Sequence, residues 1–436
     1  MSHSTFSLAN NPTRVDDLWQ KANVDFEVMG RIIESHFKSI WVSRAEIGGG
    51  AYAKAVKFSL ENGMEVVSRV TLPVNDRVKT EAEVAAMDSM RAHTSIPITN
   101  VYLFCSSSNN PVRAEWVVMD YVHGEQWCEC FHTLTWEKKK TAADDLARIM
   151  ADTFALTATH CGSMLADLTL RDDQKAIRYN GDDGLASLTG FRTVESCTSR
   201  GTYLLAPIND LVFFDRELGI VPPSHCGPFA TEHEYVEAIA FRGIPGMRGA
   251  GKADRWPYEK ALDLYNIIRP LFRDSDTSVS TPQLPVFHFA HNDLSAHNIL
   301  LDPRTGHITA VIDWEMSGFC PSWWAALPGP WFDDDYRRFI IDGLQDAPDG
   351  SDDESRKAKD LRQYFRDALR RLSPSLFNAY WNGVELRAIH YNIGEALPGN
   401  LLGWMDQYEK FQWDYQRGPF PFDYGKWFKE YCKLAL

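Results

Sequence analysis

The tightest constraint on this chain is the run His291-Asn292-Asp293-Leu294-Ser295-Ala296-His297-Asn298, followed shortly by Ile312-Asp313-Trp314-Glu315. The four residues between Asp293 and Asn298 form a loop able to bring both side chains to one point. Ile299-Leu300-Leu301 reads as a strand that anchors this loop. Asp302-Pro303-Arg304-Thr305-Gly306 reads as a turn, and residues 307–312 as the returning strand. Asp313 then emerges at a strand end beside Asn298. Asp or Asn alone is more often a turn cap. Three such groups at these offsets demand one shared site.

In-line phosphoryl transfer needs a nucleophile held by a base and a metal clamp on the phosphate oxygens. The pattern H-x-D-x-x-x-x-N with a second Asp after a hairpin supplies both. Asp293 is expected to accept the proton of an attacking hydroxyl. Asn298 and Asp313 are expected to hold magnesium against the phosphates of ATP.

Composition allows a two-lobed enzyme with an insertion. The chain has 436 residues, 44% hydrophobic and 24% charged, enough to bury a sizeable core. A net charge of -14 argues against nucleic acid as the main partner, since phosphate-backbone binding needs a basic surface. Its eight cysteines follow no framework spacing, and Cys128 and Cys130 are too close for a metal knuckle, so reduced thiols are expected. Residues 1–14 carry neither a signal core nor an Arg-rich targeting pattern, and no apolar run reaches a membrane span. The expectation is a cytoplasmic protein without a membrane partner.

Leu18, Ala22, Phe26, Met29 and Ile33 fall at helical spacing, which predicts one or two leading helices over residues 16–37. Residues 51–60 and 64–72 are strand-like and joined by Glu61-Asn62-Gly63, where Asn-Gly signals a hairpin with a type I′ turn. A helix over 80–92 and strands over 98–104 and 115–122 complete a small lobe ending near Gly124. Beyond it a helix is predicted over 136–159. The Gly/Asp-rich passage 180–184 and the Pro/Gly-rich passage 222–251 suggest an irregular insertion. Helical patterning returns over 252–272, a Ser/Thr/Pro loop over 274–285 leads to the motif, and 346–354 reads as an acidic linker. The expected domains are a helical extension (1–39), a nucleotide-binding N-lobe (40–124) and a C-lobe (125–436).

The motif resembles the aminoglycoside phosphotransferase family and its choline-kinase and protein-kinase relatives. That resemblance implies an α+β, protein-kinase-like two-lobed fold, with a small β-rich N-lobe and a larger helical C-lobe. It implies His291 as a loop-organising residue, Asp293 as catalytic base, and Asn298 and Asp313 as magnesium ligands. Protein kinases have Arg where this chain has Asn292, and D-F-G where it has Asp313-Trp314-Glu315; no A-P-E segment is found. Those departures favour a small-molecule kinase. Gly162-Ser163, Gly227-Pro228-Phe229, Glu232, Glu234 and Tyr235 are similar to fungal-type members, including those like altered-inheritance-of-mitochondria protein 9.

The N-lobe adds weaker signals. Gly48, Gly49 and Gly50 fall where a nucleotide-covering loop would lie, although three glycines are more often only a turn. Val67 and Arg69 share one strand face, and Arg69 stands where a kinase has its phosphate-binding Lys. Glu81 and Glu83 are both candidates to pair with it. Glu83 is preferred because Glu83-Val84-Ala85-Ala86-Met87 resembles the family's helix. Met119, Asp120 and Val122 resemble the hinge: Met119 behind adenine, backbone groups of Asp120 and Val122 meeting it, and Val67 as its roof. Downstream, Trp323, Trp324, Trp331, Asp333, Asp334 and Asp335 suit an amine-bearing hydroxyl acceptor, against the ordinary reading of core tryptophans and a solvated helix start. Three functions compete: an ATP-dependent small-molecule kinase, favoured; a pseudokinase-type binding or scaffolding protein; and a protein kinase.

Overall fold

Alternating apolar side chains build the first layer of the molecule. The structure is a computed structural model that describes residues 19–49, 53–72, 77–165, 177–178, 194–198, 201–209, 226–246, 286–329, 353–383, 386–387 and 390. Helix α1 (Phe26–Phe37) is capped by Asp25, whose carboxylate accepts from the amides of Glu27 and Val28. Met29 and Ile33, four apart, are fully buried on its inner face. They pack on one side of a sheet whose strands include β1 (Trp41–Gly49), β2 (Ala53–Leu60) and β3 (Glu65–Thr71). Val56, Phe58 and Leu60 of β2 and Val66 and Val70 of β3 face that helix. The period of two leaves Val67 and Arg69 on the opposite face.

The β2–β3 hairpin forms as its sequence predicts, with a different turn. Only Gly63 has positive φ, at 84°, and the Gly63 amide donates to the Leu60 carbonyl. This is a three-residue loop whose last residue is left-handed, in place of a type I′ turn. Strand β1 lies in a stretch where alternation is absent; nearly all its residues are exposed, because it is the sheet edge.

Helix α2 (Val78–His93) follows, then β4 (Val101–Cys105) and β5 (Glu115–Asp120). The sheet order is β1-β2-β3-β5-β4, closed by β9 (Ile177–Arg178) running parallel to β4. Chain direction then passes through β6 (Glu125–Gln126), which pairs with Leu300 and Leu301.

Helix α3 (Trp136–Phe154) buries Ala142, Ala143, Leu146, Ala147, Ile149 and Met150 at helical spacing. It ends before residue 159, because Thr157 and Ala158 form β7 and pair with the strand that leads into the His291–Asn298 loop. Strand β8 (Ser163–Leu165) joins β10 (Val194–Thr198) and β11 (Gly201–Ala206) in a small sheet beside α2. Within the passage expected to be irregular, helix α4 (Glu232–Gly246) forms. Its start is set by Thr231, whose hydroxyl accepts from the Glu234 amide, while Glu234 accepts from the Ala230 amide. The T-x-x-E signal was in the sequence, masked by Pro and Gly on either side.

Strands β12 (Phe287–Ala290), β13 (Ile299–Leu301), β14 (Ile308–Val311) and β15 (Gly318–Cys320) frame the motif. Helix α5 (Asp353–Leu372), which begins inside the stretch read as an acidic linker, packs along α3, and α6 (Pro374–Asn382) follows it. The result is an α+β, protein-kinase-like fold with a small β-rich N-lobe and a larger helical C-lobe. Among the described residues no helix is long and apolar enough to cross a membrane. The expectations for 180–184, 252–272 and 274–285 lie outside the described residues.

Candidate active site

His291 sits at the end of β12 and organises the loop after it. Its Nε2 meets the Ile312 carbonyl at 3.0 Å, and the Asp293 amide donates to its Nδ1 at 3.3 Å. Those two contacts assign the proton to Nε2. Burial lowers the imidazole pKa to about 4, so the ring stays neutral while it ties the loop to the Asp313 strand. Asn292 adopts the left-handed region, φ 61°, which Asn tolerates better than most residues. Its amide donates to the Met316 carbonyl at 3.1 Å.

Asn298 and Asp293 are in direct contact. The Asn298 Nδ2 donates to the Asp293 carbonyl at 2.9 Å and to its Oδ2 at 3.1 Å. This orients the Asn298 side-chain oxygen as an acceptor. The Ile312 amide donates to the Asn298 carbonyl at 2.9 Å, which sets Asp313 beside Asn298. Asp313 is left-handed, φ 66°, and opens a helical turn over Trp314–Met316. The buried Trp314 ring holds that turn, with Nε1 on the Val311 carbonyl at 2.9 Å and the ring 4.6 Å from His291.

The N-lobe reaches the same point through Arg69. Its Nη1 donates to Glu83 Oε2 at 2.7 Å and its Nη2 to Asp313 Oδ1 at 2.7 Å; Nη2 also bonds Glu315 Oε2. The planar fork serves two directions at once, which a Lys ammonium does less well. Of the two helix carboxylates, Glu83 faces the site. Glu81 instead pairs with Arg77 and accepts from Ser106. Burial raises Glu83 to a pKa of about 7 against the pull of Arg69. Glu315 is also buried, but Arg69 and Lys79 outweigh that cost and hold it near 2.

The remaining nucleotide-site candidates are distributed as follows. Val67 lies opposite Met119 in the β3–β5 pairing. The Asp120 carboxylate accepts from the Asn100 amide at 3.0 Å and from the Tyr102 hydroxyl, which fixes the end of β5. Val122 follows in a half-buried connection. Gly48 and Gly49 belong to β1, paired with Ala55 and Lys54, and Gly50 lies outside the described residues. Trp323 is core, with Nε1 on Glu232, whereas Trp324 is half-buried against the His390 ring at 4.3 Å. Trp331, Asp333, Asp334 and Asp335 lie outside the described residues.

Three site residues escape the sequence reading. Lys79, one turn before Glu83 on α2, lies 3.0 Å from Glu315 Oε2. Glu315 itself stands two residues after Asp313, an offset that could have flagged it. Buried Asn209 donates to the Glu315 carbonyl at 2.6 Å, while its amide donates to the Ser163 hydroxyl. Nothing in the local sequence marks Asn209.

Magnesium is a hard cation that takes oxygen ligands and usually keeps waters or phosphate oxygens. One carboxylate (Asp313) and one amide oxygen (Asn298) on adjacent loops fit that chemistry. Three carboxylates (Glu83, Asp313, Glu315) face two cations there, so the pocket also favours added positive charge.

A family model described as "Phosphotransferase enzyme family" matches residues 43–323, well over half of the chain. The chain belongs to that family. This phosphotransferase-family chain is 26% identical over 302 residues to a subtelomeric hrmA-associated cluster protein of Aspergillus fumigatus, covering 64% of this chain and 58% of that protein. It therefore spans little more than half the length of that relative. It is 24% identical over 160 residues to altered inheritance of mitochondria protein 9, mitochondrial, of Candida albicans, covering 33% of this chain and 25% of that one. Among solved structures, it is similar to a ternary complex of streptomycin, ATP and APH(2")-IIa, at 13% identity and TM-score 0.45, covering 85% and 89% of the two chains. A fructosamine-3-kinase structure from Thermobifida fusca, described as putative in its own name, matches at 13% identity and TM-score 0.45, covering 87% and 96%.

Proposed function

We propose that this member of the phosphotransferase family transfers the γ-phosphate of ATP to a hydroxyl of a small molecule. The observation that carries the reading is the meeting of Asn298 with Asp293, while the Asn298 backbone holds the strand that delivers Asp313. In this reading the nucleotide lies between the N-lobe, residues 40–124, and the C-lobe, residues 125–436. Val67, Met119, Asp120 and Val122 meet adenine, and Gly48, Gly49 and Gly50 border the phosphates. Asn298 and Asp313 hold magnesium, which when bound neutralises phosphate charge and orients the γ-phosphoryl group. Asp293 accepts the proton of the incoming hydroxyl. Asn298 keeps that carboxylate aimed, and neutral His291 keeps the loop in place.

Arg69 serves as the phosphate cation, with Glu83 holding its guanidinium through Nη1. The presence of all three polar groups favours an active enzyme over a binding module that kept only the shape. Asn292 where a protein kinase has Arg, and a sequence without an A-P-E segment, favour a small-molecule acceptor over a protein. A cationic acceptor would draw on Trp324 and the acidic residues 333–335. The protein is taken to act in the cytoplasm.

The test is labelled-phosphate transfer from ATP to a panel of hydroxyl compounds and proteins, compared between the native protein and Asp293→Ala. Transfer to a small molecule that disappears in the variant is expected. Transfer to proteins alone, or none to any acceptor despite tight nucleotide binding, would overturn the reading.

A further inference from the structure

The Arg69 fork carries more partners than the proposed reaction allows it to keep. Its Nη2 is shared between Asp313 and Glu315, and Asp313 is the carboxylate assigned to magnesium. For a metal–nucleotide to bind, Arg69 must give up Asp313 and turn toward phosphate oxygen. Glu315 opposes this. It stays on the guanidinium, and its backbone is held, because Asn209 donates to its main-chain carbonyl and α2 packs over its turn.

A second cation removes that opposition. Lys79 Nζ lies 3.0 Å from Glu315 Oε2, the same oxygen that receives Arg69, and Lys79 is only 3% exposed. It projects from α2 one turn before Glu83, so the helix that positions Arg69 also carries the competitor for Glu315. In a buried, weakly screened site, two cations on one carboxylate divide its hold between them.

Resting on the phosphotransferase reading, we infer that Lys79 is a positioning residue of the nucleotide site. It takes the charge of Glu315, so that Arg69 is released to exchange Asp313 for a phosphate oxygen. Lys79 acts through Glu315 and Arg69, without touching the nucleotide itself.

The experiment measures binding of magnesium and a non-hydrolysable ATP analogue by calorimetry. It uses the full chain and the variants Lys79→Met, Lys79→Arg, Glu315→Gln and the double variant Lys79→Met/Glu315→Gln, each checked by circular dichroism. Lys79→Met is expected to weaken binding by about tenfold or more, because Glu315 then rests wholly on Arg69. Lys79→Arg restores the second cation and should bind within about threefold of the native protein. The double variant should bind within about threefold of Glu315→Gln, since without the Glu315 charge Lys79 has nothing to offset. Equal weakening by Lys79→Met in both backgrounds would assign Lys79 to the phosphates or to the scaffold, and would overturn the inference. So would unchanged affinity in Lys79→Met. If Lys79→Met fails to fold, Lys79→Gln takes its place in both backgrounds, with the same outcomes expected. A native protein that binds no metal–nucleotide would remove the phosphotransferase reading; a native protein that binds while Lys79 proves irrelevant removes this inference alone.

Discussion

Arg69 and Asp313, 244 positions apart in sequence, meet with Nη2 donating to Oδ1 across 2.7 Å. The contact ties the N-lobe sheet to the loop after β14. It also puts the guanidinium on a carboxylate that the proposed reaction gives to magnesium, so in that reaction nucleotide binding would be an exchange of partners.

Asp313→Ala should weaken magnesium-dependent nucleotide affinity by about tenfold or more, because it removes one of the two proposed protein ligands. In metal-free buffer the same variant should bind nucleotide no more weakly than the native chain, since Arg69 is then released. Calorimetric titration with and without magnesium checks both. Native affinity in the presence of magnesium would remove Asp313 from the metal site.

Asp293→Ala should slow transfer by about 10²–10⁴ while leaving nucleotide affinity nearly unchanged, because the proposed base does not hold the nucleotide. A parallel loss of affinity would make Asp293 a binding group instead.

Arg69→Lys keeps the charge and loses the fork. An ammonium cannot reach Glu83, Asp313 and Glu315 together, so a buried carboxylate is left short of a partner. A loss on the order of 3 kcal/mol in chemical denaturation is expected. A midpoint matching the native protein would show that charge alone suffices.

His291 should make stability depend on pH. Its folded pKa is about 4, below the ordinary 6.5 because the ring is buried. Between those values the unfolded chain binds a proton that the folded chain refuses. Stability therefore falls as pH drops through that window, by on the order of 3 kcal/mol, and levels off below it. Denaturation profiles of the native protein and His291→Gln from acid to neutral pH should differ in slope there. Parallel profiles would count against a neutral buried His291.

Gly306→Ala should destabilise the β13–β14 hairpin by about 2 kcal/mol. Gly306 has φ +83°, and a Cβ there would lie 2.6 Å from the Lys138 carbonyl oxygen. Thermal melts check this, and an unchanged midpoint would mean that the turn and α3 separate easily.

Much of the architecture is legible where a pattern is local. The alternation of Val56, Phe58 and Leu60, the turn at Gly63 and the apolar run Ile299–Leu301 state strands and hairpins through neighbours in sequence. Strand β1 and helix α4 were less legible. An edge strand need not alternate, and a helix bounded by Pro and Gly hides its cap. The resemblance carried by Glu83-Val84-Ala85-Ala86-Met87 prefers Glu83 to Glu81, and the fold supplies the physical reason: Glu81 meets Ser106, whereas Glu83 meets Arg69.

By itself the sequence determined the identity and order of the groups: His291, Asp293, Asn298 and Asp313 at fixed offsets within one loop and one hairpin. Local backbone geometry is enough to bring those together. Only the tertiary structure decided that Lys79, Glu315 and Asn209 join the Arg69–Glu83 pair beside Asp313. Their contacts span elements distant in sequence, and packing of α2 and the β8–β11 sheet against the Asp313 turn, with no periodicity to announce it, brings them within hydrogen-bonding range.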